Sequence, residues 1–421
     1  MAARLTNYSN VLGYEIMNEP LPGLHLNFFE FSAKFLYPFY ARVIQAITGV
    51  RDGLPTCPSN APTGTNCAYP DLGVGDQRHL FFMEPCAIRN QLDFSLQFSK
   101  PVSSYPGTVY APHVYTHVFT IDATLHLNIS YPPSYDFAYV TALSDAKAMR
   151  SAMLVTEFGN SASDDDRILS NATMTQEKYL TSALVWSWKS NCRETDPHGC
   201  DWSWTVYQTG YPQLANGSMP QNGALFPSRQ LLLSRVHPRG VVGELLYHRY
   251  DTASGSYVLT AQCNSTSCAS AAYPSLLYIP RTVTGAVFVS GVCSTPVVTM
   301  NPDGSRVASI FPTGAEGLYS IGVAASEASF HNFRQRTAVI RSKEAKEIVE
   351  AAGNEVLQAQ QELALSKLQS LYTAAVKIGT QLFHPALYFS HVASLIFVWC
   401  QELSYPSYRI RTRLILVHCS N

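Results

Sequence analysis

The sequence predicts an α/β fold: part of a (β/α)8 TIM barrel, with about strands 4–8 present, then a small antiparallel β-sandwich and a helical tail. In the first part of the chain, short apolar runs alternate with helical patterns, as in parallel βαβ units. From about residue 225, short β-rich runs alternate with Gly, Ser, Thr and Pro, which is typical of a sandwich. From about residue 327, the chain is rich in Ala, Glu, Gln, Leu and Lys, which favours a long helix. These changes predict three domains, at 1–224, 225–326 and 327–421.

Five apolar runs of the first domain are predicted to be parallel strands. The runs are residues 11–17, 79–83, 108–111, 153–156 and 182–188. Helices are predicted at 27–48, 134–150 and 174–182, and a long loop rich in Pro, Gly, Asn and Cys at 51–78. Because a closed barrel has eight strands, we expect its first three β/α units to lie upstream of this sequence, which would then be N-terminally incomplete.

The second domain contains several β-rich runs, and the third contains a helix and an apolar segment. The runs are residues 240–250, 256–262, 275–280 and 286–289, and the helix is predicted at 329–378. Residues 382–400 are mostly apolar and contain no Asp, Glu, Lys or Arg, so their length would permit a membrane helix. A buried helix and a tail that does not fold are the two alternatives for this segment.

Composition indicates an oxidising compartment and argues against a nucleic-acid partner. The net charge is −1 and only 14% of residues are charged, so the sequence offers no basic face. Several of the ten cysteines are close in sequence without the CxxC spacing of a zinc site, which predicts short disulfide loops. The close pairs are Cys57 and Cys67, Cys192 and Cys200, and Cys263 and Cys268.

Five N-x-S/T sequons agree with this compartment. Their asparagines are Asn7, Asn128, Asn171, Asn216 and Asn264. Together with the cysteines they predict a protein of the secretory pathway, extracellular or lysosomal. Since residues 1–7 lack the apolar core of a signal peptide, we expect the signal upstream.

Two glutamates follow predicted strands and are the candidate catalytic residues. Glu19 ends the first strand and Glu157 ends the fourth, and the C-terminal ends of barrel strands carry catalytic groups. Enzymatic glycoside hydrolysis typically requires at least two carboxyl groups at the scissile bond. With retention, one protonates the leaving oxygen and the other attacks the anomeric carbon. We expect Glu19 to be the acid/base, its pKa raised by a negative Glu157, and Glu157 to be the nucleophile.

Four strand-end motifs follow one another in the order of glycoside hydrolase family 5, a family of retaining β-glycosidases, which this sequence resembles. They are Asn18-Glu19-Pro20, His113-Val114-Tyr115, Thr156-Glu157-Phe158-Gly159 and Trp186-Ser187-Trp188. Three features look most like the endoglycoceramidase branch of this family. They are the sequence around Glu19, the motif Met83-Glu84-Pro85 and the predicted sandwich. The resemblance covers roughly residues 8–325 and does not extend to the tail.

The resemblance implies four substrate-binding residues beside the two glutamates. Asn18 would bond the sugar 2-hydroxyl, Tyr115 would hold the nucleophile, His113 would line the same subsite, and Trp186 would stack under the sugar ring. For Trp188, a position in the hydrophobic core is as good a prediction as a role in substrate binding. Glu84 is interpreted as a loop carboxylate satisfied by its surroundings. No metal and no organic cofactor are implied.

Three functions remain open at this point. The first is hydrolysis of the glycan–ceramide linkage of glycosphingolipids by double displacement. The second keeps the chemistry and changes the substrate, as in the glucosylceramidases and steryl-β-glucosidases of the same family. The third is a truncated, catalytically inactive protein that binds carbohydrate or membrane. The expected partner is a glycolipid or other β-glycoside, with membrane association through 382–400 as one possibility.

Overall fold

In the computed structural model the described residues are 1–22, 28–53, 55–58, 60, 67, 72–91, 93–95, 101–120, 134–161, 166–188, 204–206, 225–264, 268 and 273–352. The first part of the chain forms one five-stranded sheet, whose strands are paired in chain order and all run parallel. The strands are β1 (Gly13–Glu15), β2 (Leu80–Met83), β3 (Thr108–Tyr110), β4 (Ala152–Phe158) and β5 (Ser182–Val185). This order and direction confirm the prediction of a partial TIM barrel. Within the described residues the sheet is not closed, because β1 and β5 each pair with a single neighbour.

Helices connect these strands. They are α1 (Ala2–Leu5), α2 (Phe28–Phe31), α3 (Tyr37–Thr48), α4 (Tyr135–Ala148) and α5 (Arg167–Lys178). A π-helical turn at Ser32–Leu36 joins α2 to α3, and a 3-10 turn at Ala87–Gln91 follows β2. Helix α3 ends at Gly49, whose φ of 75° lies in the left-handed region that glycine adopts without steric cost.

The prediction of a helix at 174–182 was wrong in its bounds. Helix α5 begins seven residues earlier, at Arg167, and its buried Leu169 and Ala172 are separated by polar residues that weaken the apolar pattern. It ends at Lys178, and Leu180 has a φ of 54°, which a continuing right-handed helix does not permit.

The two faces of the parallel sheet have different neighbours. Phe81 of β2 packs in a buried cluster with Tyr40 of α3, on the face covered by helices. Phe82, the next residue, packs with Val109 of β3 on the opposite, inner face. Glu15 of β1 is in register with Phe82. It therefore lies on the inner face, a position normally taken by an apolar residue.

The second part of the chain is a sandwich of two four-stranded antiparallel sheets, with strand orders β10-β13-β8-β7 and β11-β12-β9-β6. Their strands are β6 (His237–Gly240), β7 (Glu244–Asp251), β8 (Ser256–Cys263), β9 (Ser275–Ile279), β10 (Ala286–Gly291), β11 (Val297–Met300), β12 (Arg306–Ile310) and β13 (Gly317–Ala324). The core between them is fully buried at Leu259, Leu277 and Ile321. Before the sandwich, α6 (Pro227–Leu233) packs Leu232 and Leu233 against the barrel cluster of α4 and α5.

Helix α7 (Glu327–Ala352) joins the sandwich to the barrel. Phe330 packs against Val258 of β8, and Ile348 packs against the cluster of α4 and α5. The side chain of Glu344 accepts from Arg249 Nη1 of β7 at 2.8 Å, and Glu347 Oε2 accepts from Lys178 Nζ of α5 at 3.0 Å. The predicted helix at 329–378 thus exists at least to residue 352, and the remainder lies outside the described residues.

Two of the predicted disulfides are formed, Cys57–Cys67 and Cys263–Cys268. Cys192 and Cys200 lie outside the described residues, as does the apolar segment 382–400. In the described part of the chain, none of the helices combines the length and apolarity that a membrane crossing requires. The domain boundaries at 224 and 326 stay predictions.

Candidate active site

The predicted site residues collect at one edge of the parallel sheet. Glu19 follows β1, Glu84 follows β2, His113 follows β3, Glu157 is the penultimate residue of β4, and Trp186 follows β5. Because parallel strands end on the same side, all five lie at the C-terminal edge, where (β/α)8 enzymes place their active sites.

His113 is the centre of the cluster, with only 2% of its surface exposed. Its Nδ1 lies 2.9 Å from Glu19 Oε1 and 3.3 Å from Glu157 Oε2. Its Nε2 lies 3.3 Å from Glu84 Oε2, an ion-pair distance without good hydrogen-bond geometry. The backbone holds the ring in place, since Val114 N–H donates to the Glu157 carbonyl at 2.9 Å. One imidazole therefore touches three carboxylates from three different strand ends.

This environment makes His113 a cation at neutral pH. Burial disfavours the charged ring, but the neighbouring carboxylates outweigh this effect. The hydrogen bond to Glu19 and the nearby negative charges of Glu84 and Glu157, at ion-pair distances, thus raise the pKa of His113 from 6.5 to about 10. The imidazolium screens the carboxylates from one another and so permits three of them to share a small volume.

Glu157 is fixed by Tyr115, whose hydroxyl donates to Glu157 Oε2 at 2.8 Å. Burial raises the pKa of Glu157, while the charge of His113 and the Tyr115 hydrogen bond oppose that rise. Burial and the charge of Glu157 hold the pKa of Tyr115 well above its ordinary value, so Tyr115 remains a neutral donor. The Tyr115 ring packs edge-on against Trp204, with centroids 5.9 Å apart.

Glu19 is the more open of the two predicted catalytic residues, with 39% of its side chain exposed against 17% for Glu157. Its φ of 43° is left-handed, a conformation that costs a non-glycine residue about 1–2 kcal/mol. The Glu19 N–H donates to Glu84 Oε2 at 2.8 Å, and Asn90 Nδ2 donates to Glu19 Oε1 at 3.3 Å. Backbone and carboxylate are thus held by two separate contacts from the segment after β2.

The two predicted catalytic carboxylates are close enough to act on one bond. A carboxylate oxygen of Glu19, one of Glu157 and a ring nitrogen of His113 all lie within 4.8 Å of one another. Retaining glycosidases keep their carboxyl groups about 5–5.5 Å apart, whereas inverting enzymes need about 6.5–9.5 Å to admit a water. The arrangement can protonate one atom of a glycosidic bond while attacking the next.

Two triplets in the described residues have the spacing of metal ligands: Glu19, His113 and Glu157, and Glu15, Glu84 and His113. Both depend on His113. A metal ligand must be a neutral imidazole, and the carboxylates here favour the protonated ring. The chemistry of the donor set therefore fits an imidazolium among carboxylates better than a metal site.

The remaining predicted residues lie at the same edge and are open to solvent. Asn18 is exposed beside Glu19, and Trp186 and Trp188 are 46% and 56% exposed. Trp186 N–H donates to the Phe158 carbonyl at 2.8 Å, and the Trp186–Ser187 peptide bond is cis. A Cβ on Gly159 would lie 2.2 Å from the Trp186 carbonyl oxygen, so only glycine allows this approach of the strands. Among the residues that the structure describes, no contact brings Asn18 or Trp186 to the carboxylates, and their roles stay predictions.

Three residues of the cluster were not predicted as site residues. Glu84 was interpreted as a loop carboxylate, although its strand-end position was the same signal that identified Glu19 and Glu157. Asn90 lies in a 3-10 turn and carries no sequence signal. Glu15 lies within a strand, where burial of its carboxyl and then the charge of Glu84 raise its pKa to about 7, although the residue as a whole is open to solvent.

Comparison with known proteins gives a fold likeness. No protein-family model and no curated protein matches the sequence. Endo-glycoceramidase II from Rhodococcus sp., solved as a lactosyl-enzyme intermediate, matches with a TM-score of 0.54 and 16% identity over 77% of this chain and 61% of that one. The same enzyme in complex with a cellobiose-like isofagomine gives a TM-score of 0.54 and 17% identity over 77% and 61%. An endogalactoceramidase gives 0.52 and 17% over 76% and 60%. The chain has this fold and spans about three fifths of the solved chains it matches.

Proposed function

We propose that this chain carries the catalytic edge of a retaining β-glycosidase that cleaves the linkage between glycan and ceramide in glycosphingolipids. The observation that carries the proposal is the pair of glutamate oxygens, from Glu19 and Glu157, that lie within 4.8 Å of each other beside the His113 imidazolium. That separation favours direct attack by a carboxylate over attack by water.

The surroundings of the two carboxylates suggest their roles. Glu157 is the less exposed, receives the Tyr115 hydroxyl and faces the positive ring of His113, as suits an anionic nucleophile. Glu19 is more open to solvent, which suits a group that gives its proton to a leaving oxygen and then takes one from water. Attack by Glu157 would form a glycosyl-enzyme ester, and hydrolysis assisted by Glu19 would release the sugar with retained configuration.

The proposed substrate class rests on the fold likeness to an endo-glycoceramidase and an endogalactoceramidase, and on the exposed aromatic residues. Trp186 and Trp188 would offer flat apolar faces at the sheet edge. A glucosylceramidase or steryl-β-glucosidase would use the same carboxylates with a different loop surface. We therefore take the glycan–ceramide linkage as the first substrate to test and single-glucose substrates as the second.

The test is digestion of a fluorescent ganglioside and of glucosylceramide by the full chain, followed by identification of the released sugar. Release of an intact oligosaccharide supports endo cleavage, and release of glucose alone supports the second substrate class. Glu157→Gln should abolish release, whereas Glu244→Gln, an exposed glutamate on β7, should not change it. A 2-fluoro glycoside with a good leaving group should add one glycosyl mass at Glu157. Inverting enzymes form no such adduct.

The open sheet favours a second candidate, a catalytically silent carbohydrate- or membrane-binding protein. In the described residues β1 and β5 leave two strand edges without a partner. This candidate predicts that the folded chain binds glycolipid vesicles and that Glu157→Gln binds them equally, without hydrolysis by either. Vesicle flotation paired with the digestion assay separates the two candidates, and deletion of 382–421 tests whether the apolar segment contributes to membrane association.

We also propose that the protein belongs to the secretory pathway, extracellular or lysosomal. Its two disulfides and the exposure of Asn7, Asn171 and Asn264 support this. Expression in a secretory host should give a species whose electrophoretic mobility increases after N-glycosidase treatment. Unmodified protein with reduced cysteines in that host would contradict the proposal.

A further inference from the structure

Glu84 reaches the proposed acid/base by two routes. Its Oε2 accepts the backbone N–H of Glu19 at 2.8 Å. The same oxygen lies 3.3 Å from His113 Nε2, and His113 Nδ1 lies 2.9 Å from Glu19 Oε1. Glu84 and His113 therefore close a ring of contacts around Glu19 that includes both its amide and its carboxylate.

Glu84 is itself well anchored. Only 2% of its surface is exposed, and it occupies the position directly after β2, followed by Pro85. Its carbonyl accepts the hydroxyl of Tyr40 from α3 at 3.0 Å. A carboxylate fixed by a strand end, a proline and a helix contact can impose its position on a more mobile neighbour.

Glu19 needs such a partner because of its backbone. It follows β1 by four residues and has a φ of 43°, a conformation that a glutamate leaves readily unless its surroundings hold it. A change of this φ would swing the side chain away from Glu157, since φ sets the direction of the Cα–Cβ bond relative to the anchored Glu19 amide.

We propose that Glu84 is a positioning residue for the acid/base: it holds the left-handed backbone of Glu19 through the amide and, through His113, the direction of the Glu19 carboxyl. This inference rests on the proposed function for its catalytic meaning, although the contacts exist without it. Glu15 supports the arrangement from the inner face, where its carboxyl lies within 4.8 Å of Glu84 and His113.

Two substitutions separate the two routes. Glu84→Gln keeps an oxygen that can accept the Glu19 N–H but removes the negative charge beside His113. Glu84→Ala removes both. Glu244→Gln is the matched control on the sandwich, and thermal unfolding of each variant establishes that it is folded.

The first readout is the dependence of rate on the leaving group, measured with aryl β-lactosides. A misplaced acid/base slows substrates that need protonation and spares 2,4-dinitrophenolate, which leaves without it. We expect Glu84→Ala to lower kcat/KM at least about tenfold for a phenol of high pKa and less than about threefold for dinitrophenol, within the range of general acid catalysis. Equal losses for both leaving groups, or no loss for either, would overturn the positioning role.

The second readout does not need turnover. In NMR spectra of ring-labelled histidine, Glu84→Gln should lower the pKa of His113, because one of its carboxylate partners is lost. The Glu19 amide should exchange with solvent faster in Glu84→Ala than in Glu84→Gln. If wild type shows no activity, the proposed function fails while this readout still decides the inference. An unchanged His113 titration and an unchanged Glu19 amide would refute it.

Discussion

Burial raises the pKa of Glu157, and two neighbours, His113 and Tyr115, favour its ionised form. The Tyr115 hydroxyl is one of them, at 2.8 Å. The ionisation of the proposed nucleophile is therefore set by a balance that a single atom can shift.

Tyr115→Phe removes that atom. We expect the pKa of Glu157 to rise further, so the acidic limb of the kcat/KM profile should move to higher pH, with a loss of about tenfold or more in rate below the limb. Profiles from pH 3 to 9 measure this. Tyr273→Phe, at a tyrosine that is 79% exposed, serves as the control. A Tyr115→Phe profile that is lower at every pH but not displaced would show that the hydroxyl acts in another way.

Glu15 gives a prediction about stability. Its pKa rises from 4.5 to about 7 on folding, so the folded state binds this proton more tightly than the unfolded state. Its favourable contribution is fully present below pH 4.5 and is lost as pH rises through about 7. Glu15→Gln cannot ionise, so we expect it to raise the melting temperature relative to wild type at pH 8 and to change it little at pH 4.

Thermal unfolding of Glu15→Gln at these two pH values tests the expectation, with Glu244→Gln as the control. A stabilisation equal at both pH values would mean that shape rather than charge is responsible.

Most of the site could be predicted because its residues share one signal, the end of an apolar run. Glu19, His113 and Glu157 follow predicted strands, and parallel strands bring their ends together. Glu15 and Asn90 could not be predicted in this way. Glu15 lies inside the predicted strand 11–17, although β1 ends at this residue. Asn90 contacts Glu19 across 71 residues from a turn whose sequence has no periodic apolar pattern.

Among the elements, α7 is the one whose role depends most on packing. Phe330 is 1% exposed, its ring lies 5.9 Å from that of Phe288, and a Cβ on Gly322 would lie 2.4 Å from it. At its N-terminal end the helix is therefore packed against the outer face of the sheet that contains β8 and β10, opposite the core between the two sheets.

Phe330→Ala should lower the free energy of unfolding by about 3–5 kcal/mol, the range for a fully buried phenylalanine. Val339→Ala, on the same helix but 72% exposed, should cost less than about 1 kcal/mol. Urea denaturation followed by fluorescence and circular dichroism measures both. Similar small effects for the two variants would mean that α7 is only loosely attached.

Element boundaries were predicted with uneven success for physical reasons. The barrel strands β2 and β3 are buried on both faces and read as apolar runs, whereas all four residues of β11 are exposed and show no alternation. Four sandwich strands, β6, β11, β12 and β13, were not predicted individually. Helix α5 was placed too late because its first turns are largely polar.

At the scale of the whole molecule, the five-stranded sheet leaves its inner face partly open. Leu184 of β5 is 54% exposed, although β5 belongs to a sheet that would be closed in a complete barrel. Unpaired strand edges and exposed apolar side chains favour association between chains.

We therefore expect the purified 421-residue chain to self-associate with increasing concentration. Leu184→Lys should reduce this, because it places a charge beside the open edge. Leu231→Lys should not, since Leu231 is equally exposed, at 53%, but lies on α6. Light scattering coupled to size exclusion measures the mass of each. A monomer at all concentrations would contradict this expectation.

The attachment of Glu19 to the segment after β2 leaves the chain beyond Pro20 free to vary in length. Pro20 is held there as well, because its carbonyl accepts the N–H of Ala87 at 2.9 Å. The polypeptide beyond Pro20 thus begins from an anchored point, and insertions or deletions there need not disturb Glu19, the proposed acid/base. A region that can change in length while the reacting group stays fixed is a natural place for grafting new recognition loops, in evolution and in the laboratory.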